Sequence, residues 1–140
     1  MYEVIAEAIR AYCPKAWVIN YTNPMSICTG ALYRIFPESK AFGCCHEVFG
    51  AQRLLLMAMK EELGIEETDR HKLRTNVAGI NHFTWITEAS YQDIDLLPVY
   101  ERFVEKHYLE GICDKVTDFH FMSQNKGKFD LFRRYGVIAA

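Results

Sequence analysis

Between Tyr2 and Leu63 the apolar side chains alternate between helical spacing and short unbroken runs, and this rhythm restricts the fold more than any other feature. Val4, Ile5, Ala8, Ile9 and Tyr12 recur at helical spacing with Glu3, Glu7 and Arg10 elsewhere on the wheel, predicting a helix over 2–12 that Cys13-Pro14 ends. Residues 16–21 form a short, nearly all-apolar run, as expected of a strand in a parallel sheet covered on both faces. Asn23 is placed to cap the next helix, with Pro24 at its first position, where the missing N–H costs nothing. That helix runs through Ile27, Ala31, Leu32 and Ile35 and stops before Pro37. Residues 40–44 then predict a strand, and 48–63 a long apolar helix closed by Gly64. Helix, strand, helix, strand, helix in close succession is the order of a doubly wound α/β sheet.

Beyond Gly64 the rhythm changes. A polar connection (Glu66, Glu67, Asp69, Arg70, His71, Lys72) leads to two strands, 73–78 and 83–91. In the second, Phe83, Trp85, Thr87 and Ala89 alternate with Thr84, Ile86, Glu88 and Ser90, the period of a half-buried strand. Helices are expected over 95–110 and 119–135, the latter interrupted by a turn at 125–128, and the chain closes on an apolar run, 136–140. The eight glycines form neither G-x-G-x-x-G nor G-x-x-x-x-G-K, so no phosphate-binding loop lies within the chain. An α/β pattern that opens without a preceding strand is expected to be a piece of a larger protein.

Half of the 140 residues are apolar and a quarter charged, the balance of an ordinary globular domain. A net charge of −2 supplies no basic field, which argues against nucleic acid as a partner. No apolar run approaches the roughly eighteen residues of a membrane span and no signal peptide opens the chain, so a cytoplasmic location away from membranes is expected. The five cysteines are odd in number and lack any C-x-x-C pair, against both a disulfide framework and a zinc knuckle.

Two strings stand at predicted strand ends: Cys45-His46-Glu47 and Gly79-Ile80-Asn81-His82. A strand cysteine is ordinarily core, and a loop histidine is ordinarily hydrogen-bonded and nothing more. A thiolate and an imidazole delivered from two strand ends are, however, what an open catalytic metal site requires, because the remaining coordination positions admit substrate. Neighbouring Cys44 and Cys45 point to opposite faces, so only one can serve such a site, and Cys44 and Cys28 are assigned to the core. Asn23-Pro24 ends a third strand at the same side, where doubly wound folds bind ligands. His71, His107 and His120 receive no functional role, and Glu47 at a helix start favours the helix dipole.

Together, Asn20-Tyr-Thr-Asn-Pro-Met25, Gly43-Cys-Cys-His-Glu47 and Val77-Ala-Gly-Ile-Asn-His-Phe-Thr-Trp85 resemble the NAD- and manganese-dependent glycosidases of glycoside hydrolase family 4, in the branch of α-glucosidases, α-galactosidases and α-galacturonidases that act on unphosphorylated sugars. The resemblance implies that residues 1–45 end a Rossmann-like dinucleotide-binding domain and 46–140 begin an α+β substrate and metal domain. It implies cleavage of α-glycosides by NAD-dependent oxidation at C3, loss of the C2 proton, elimination of the leaving group and addition of water, a departure from the two-carboxylate scheme. By the same likeness Cys45 and His82 are the metal ligands, Asn23 lies between nicotinamide and sugar, Asn81 holds a sugar hydroxyl, and His46 touches the sugar and helps protonate the departing oxygen. The choice of Mn²⁺ rests on the resemblance, since this ion is harder than a thiolate prefers. The glycine-rich loop is expected before Met1 and the C2 base after Ala140, so the 140 residues alone are expected to be inactive; the intact protein is expected to be a homo-oligomer. Two rivals share parts of the pattern. A lactate- or malate-type dehydrogenase has the Asn-Pro turn but needs a His-Gly pair, whereas the five histidines here precede Glu47, Lys72, Phe83, Tyr108 and Phe121. A non-catalytic remnant or interaction module would fold without taking up metal.

Overall fold

The first alternation is present almost residue for residue in the computed structural model, which describes residues 1–80, 82–112 and 124–140. Helix α1 (Tyr2–Tyr12), strand β1 (Trp17–Asn20), helix α2 (Met25–Ile35) and strand β2 (Lys40–Gly43) make up one of two compact units, Met1–His46. Strands β1 and β2 are parallel, with Trp17 opposite Lys40 and Asn20 opposite Gly43, and α2 is the crossover that parallel pairing demands. Ala6, Leu32 and Ala41 form the buried centre of this unit, with Tyr2, Ile9, Val18 and Ile35 packed around them. Coverage of both sheet faces is not found: Trp17 and Ile19 on the opposite face are 69% and 58% exposed, Trp17 standing edge-on to Phe42. Cys28 is buried as expected, but Cys44 and Cys45 are both half-buried, because β2 ends at Gly43 and both lie beyond it.

Asn23 does not cap α2. The helix starts at Met25, no side chain caps it, and the Asn23–Pro24 peptide is cis. The loop is held instead by Asn20, a buried amide at the end of β1. Its Oδ1 accepts from the Tyr2 hydroxyl at 2.6 Å and from the Thr22 backbone at 3.2 Å. Its Nδ2 donates towards the carbonyls of Thr22 and Met25 and the Thr29 hydroxyl at 3.2–3.3 Å. A buried amide with both ends satisfied fixes the chain where it leaves the strand.

The second unit, Glu47–Ala140, is α+β. Helix α3 (Glu47–Leu63) leads through a 3-10 turn (Arg70–Lys72) to strands β3 (Leu73–Ile80) and β4 (Phe83–Tyr91). A short β5 (Ile94–Asp95), helix α4 (Leu97–His107), helix α5 (Lys126–Tyr135) and a short β6 (Ile138–Ala139) follow. Helix α3 ends where Gly64 adopts φ 68, the left-handed conformation of a C-terminal cap. The helix expected from 95 starts at Leu97, because Ile94 and Asp95 pair with β4 while the Asp95 carboxylate accepts the Leu97 N–H at 3.0 Å. Where a turn was expected at 125–128, α5 begins: left-handed Asn125 precedes it, and the earlier part of that predicted helix, 119–123, lies outside the described residues, as does Cys113. The closing apolar run contributes β6, which pairs antiparallel with β4 through Trp85 and Ile86.

One core unites this unit. Leu54, Leu55, Ala58 and Met59 of α3 and Val99, Tyr100, Phe103 and Val104 of α4 pack with Phe129 and Phe132 of α5 and Ile86, Ala89 and Ile138 of the sheet. Tyr100 has its ring edge-on to Phe132 at 4.9 Å, and burial pushes its hydroxyl pKa upward.

Strand β4 does not keep the simple alternation. Its two buried residues are Ile86 and Ala89, which a period of two would put on opposite faces. The register explains it: Asn76 faces Glu88 but Val77 faces Ile86, leaving Thr87 as an extra residue. This is a β-bulge, and it turns the inward side from the even-numbered to the odd-numbered positions. The Thr87 hydroxyl, accepting from the Asn76 amide at 3.0 Å, pins it. Before β3, Glu67 gathers the polar connection: one carboxylate oxygen accepts the Lys72 ammonium at 2.8 Å and the Tyr91 hydroxyl at 3.3 Å. The other accepts the backbone N–H groups of Thr68 and Asp69, each at 2.9 Å. Among the described residues no helix is long and apolar enough to cross a membrane.

Candidate functional site

His82 directly precedes β4 in the β3–β4 hairpin, where Ile80 pairs with Phe83. Its φ of 63 is left-handed, uncommon for a non-glycine residue, though histidine is among the types that tolerate it. Gly79 is required just before. With φ 122, a Cβ built there would lie 2.0 Å from the Phe83 carbonyl oxygen. The turn is therefore specified by a glycine without substitute and a histidine in strained backbone, the kind of cost that concentrates at functional sites.

The His82 ring does not hang free. Its Nδ1 lies 2.7 Å from Oε2 of Glu47, the first residue of α3. Both side chains remain open to solvent, at 58% and 45%. The contact uses Nδ1 and leaves Nε2, across the ring, as the nitrogen facing other partners. Lower on the same helix the Gln52 amide donates to the Thr75 hydroxyl of β3 at 3.1 Å, a second link between α3 and the strand that carries the hairpin.

Cys45 precedes Glu47 by two positions, so covalent geometry keeps their Cα atoms within about 7 Å whatever the surrounding packing. Its thiol is half-buried, and the intervening His46 is exposed. Asn23 is exposed on the loop that Asn20 anchors at the C-terminal end of β1. Asn81, expected to hold a sugar hydroxyl, lies outside the described residues. The sequence reading left Glu47 as a dipole partner and gave no role to Asn20. For Glu47 local pattern held no remedy, since a partner 35 positions away leaves no trace in spacing.

The model described as "Family 4 glycosyl hydrolase" matches residues 2–61, and that of the "Family 4 glycosyl hydrolase C-terminal domain" matches residues 77–140. An α-galacturonidase of Thermoanaerobacter italicus is 56% identical over 142 residues, covering 100% of this chain and 31% of the relative. The chain thus spans about a third of the length of the curated relatives it matches. Among solved structures, the Bacillus subtilis protein lplD, a candidate glucosidase, superposes with a TM-score of 0.83 at 54% identity over 99% of this chain and 33% of that one. A 6-phospho-α-glucosidase from gut microorganisms, solved in complex with NAD and Mn²⁺, shares the fold alone, with a TM-score of 0.68 at 22% identity over 99% of this chain and 31% of that one. With both family models matched in order along an α/β scaffold, the chain belongs to the family 4 glycosyl hydrolases.

Proposed function

We propose that this chain carries the metal-binding and part of the sugar-binding machinery of an NAD- and Mn²⁺-dependent glycosidase acting on α-galacturonides. The single observation that supports this best is His82, presented on a strained hairpin with one ring nitrogen already engaged. Cys45, Glu47 and His82 supply a thiol, a carboxylate and an imidazole, donor types that a divalent transition metal accepts. Of these, Cys45 and His82 are the proposed ligands. The substrate class follows the relatives, of which the 56% identical one is an α-galacturonidase.

When bound, NAD would take and return a hydride, and Mn²⁺ would supply Lewis-acid polarisation of the sugar oxygens. The chain's own residues orient and protonate. Asn23 lies on the fixed loop after β1, where an amide can hold the sugar beside the nicotinamide. Asn81, next to His82, is the proposed holder of a sugar hydroxyl. His46, exposed and next to Cys45, is the proposed donor of a proton to the departing oxygen. Residues 1–45 are proposed to end the dinucleotide-binding domain and 46–140 to begin the substrate domain. Because these 140 residues contain no glycine-rich pyrophosphate loop, the chain alone is expected to give no turnover with NAD, Mn²⁺ and a nitrophenyl α-galacturonide.

A chimera tests the reading. This chain replaces the matching third of the Thermoanaerobacter italicus enzyme, and Mn²⁺-dependent hydrolysis of an α-galacturonide is measured. The expected result is activity in the chimera, abolished by Cys45→Ser or His82→Ala and retained in Cys44→Ser. A folded chimera that is inactive, or one indifferent to Cys45→Ser, would sink the assignment.

A further inference from the structure

We infer that Glu47 is the positioning residue of the metal centre, accepting a hydrogen bond from Nδ1–H of His82 so that Nε2 is the nitrogen presented to the ion. The inference rests on the metal reading above and adds to it a residue that binds neither metal nor sugar. Three observations carry it. The Oε2–Nδ1 distance of 2.7 Å is that of a charge-assisted hydrogen bond. A neutral imidazole has one N–H and one lone pair, so an acceptor at Nδ1 fixes the proton there and leaves the lone pair on Nε2. Finally, both partners are held from behind: Glu47 opens α3, a helix buried along Leu54, Leu55 and Met59, and His82 stands in a turn with little freedom.

A ligating histidine commonly donates its second ring nitrogen to a carboxylate, which orients the ring and raises its basicity. Here the carboxylate comes from the residue two positions after the proposed thiolate ligand. The segment 45–47 would then supply one ligand directly and aim the other. Shortening or removing the Glu47 side chain leaves His82 in place but lets its ring turn and its tautomers mix.

The test uses the 140-residue chain with two readouts that need no turnover. The first is the His82 tautomer, measured by long-range ¹⁵N–¹H NMR in the metal-free protein at about pH 8, where an imidazole is ordinarily neutral. The second is Mn²⁺ affinity, measured by electron paramagnetic resonance. The expected result is an Nδ1–H tautomer in the native chain, a mixture in Glu47→Ala, and an affinity that falls about 10–100-fold in that variant. Glu47→Gln separates orientation from ligation, because its amide oxygen still accepts from Nδ1–H but is a poor metal ligand. Affinity within a few-fold of native supports positioning, and a fall as deep as in Glu47→Ala makes Glu47 a direct ligand and overturns it. An Nε2–H tautomer in the native chain overturns it as well. Equal Mn²⁺ binding by native chain and His82→Ala would overturn the metal reading, and this failure is told apart because the tautomer is measured without metal.

Discussion

Glu67 is met by four donors, the Lys72 ammonium, the Tyr91 hydroxyl and the backbone N–H groups of Thr68 and Asp69. Chiefly through the Lys72 bond, and then the Asp69 N–H, its carboxyl is held well below the usual carboxylate range, at about 2. A depressed folded-state pKa stabilises above the unfolded value and ceases to do so as pH falls through the folded one. The contribution of Glu67 is therefore full above about pH 4.5 and is lost between there and about pH 2. Glu67→Gln is expected to flatten the acid limb of the unfolding curve in that window while leaving the Mn²⁺ affinity at neutral pH unchanged. An unaltered acid limb, read by circular dichroism, would refute the clasp. At this scale the sequence was partly legible: His71 is exposed, as a charged neighbourhood suggests, but the convergence of Tyr91 on Glu67 depends on β4 folding back over the connection.

Among the elements, the β3–β4 hairpin has least tolerance for change. A Cβ on Gly79 would collide with the backbone of Phe83, and φ 122 disfavours any L side chain. Gly79→Ala is expected to cost at least about 2 kcal/mol and to weaken Mn²⁺ binding through displacement of His82. Equal urea midpoints for native and variant would contradict this. In the helical layer, Phe103 of α4 is fully buried, its ring 6.1 Å from those of both Tyr100 and Phe129. Phe103→Ala should destabilise by about 3–5 kcal/mol in chemical denaturation, since such a core relaxes only partly around a lost ring. Long periodic segments such as α1 and α3 were visible in sequence because amphipathic spacing is written in neighbouring residues. The two-residue strands β5 and β6 were not, having too few positions to show a period, and the bulge at Thr87 was hidden because it is a property of a pair of strands.

For the molecule as a whole, the proposed metal centre ties stability to an ion. Mn²⁺ at about a hundred times its dissociation constant should stabilise the native chain by roughly 2.7 kcal/mol, an increment removed by chelator and absent in His82→Ala. A melting temperature indifferent to Mn²⁺ in the native protein would count against the centre.

The order of the longer helices and strands, the change of architecture after Gly64 and the pair Cys45 and His82 as candidate ligands were all written in the linear chain. Periodicity and short motifs are local, and three such motifs in order carried the family. The bond from the Tyr2 hydroxyl to Asn20, the face reversal in β4 and the meeting of Glu47 with His82 arose only on folding. Each joins groups that sequence separates, and a hydrogen bond between distant side chains depends on where the backbone carries them rather than on what stands beside them.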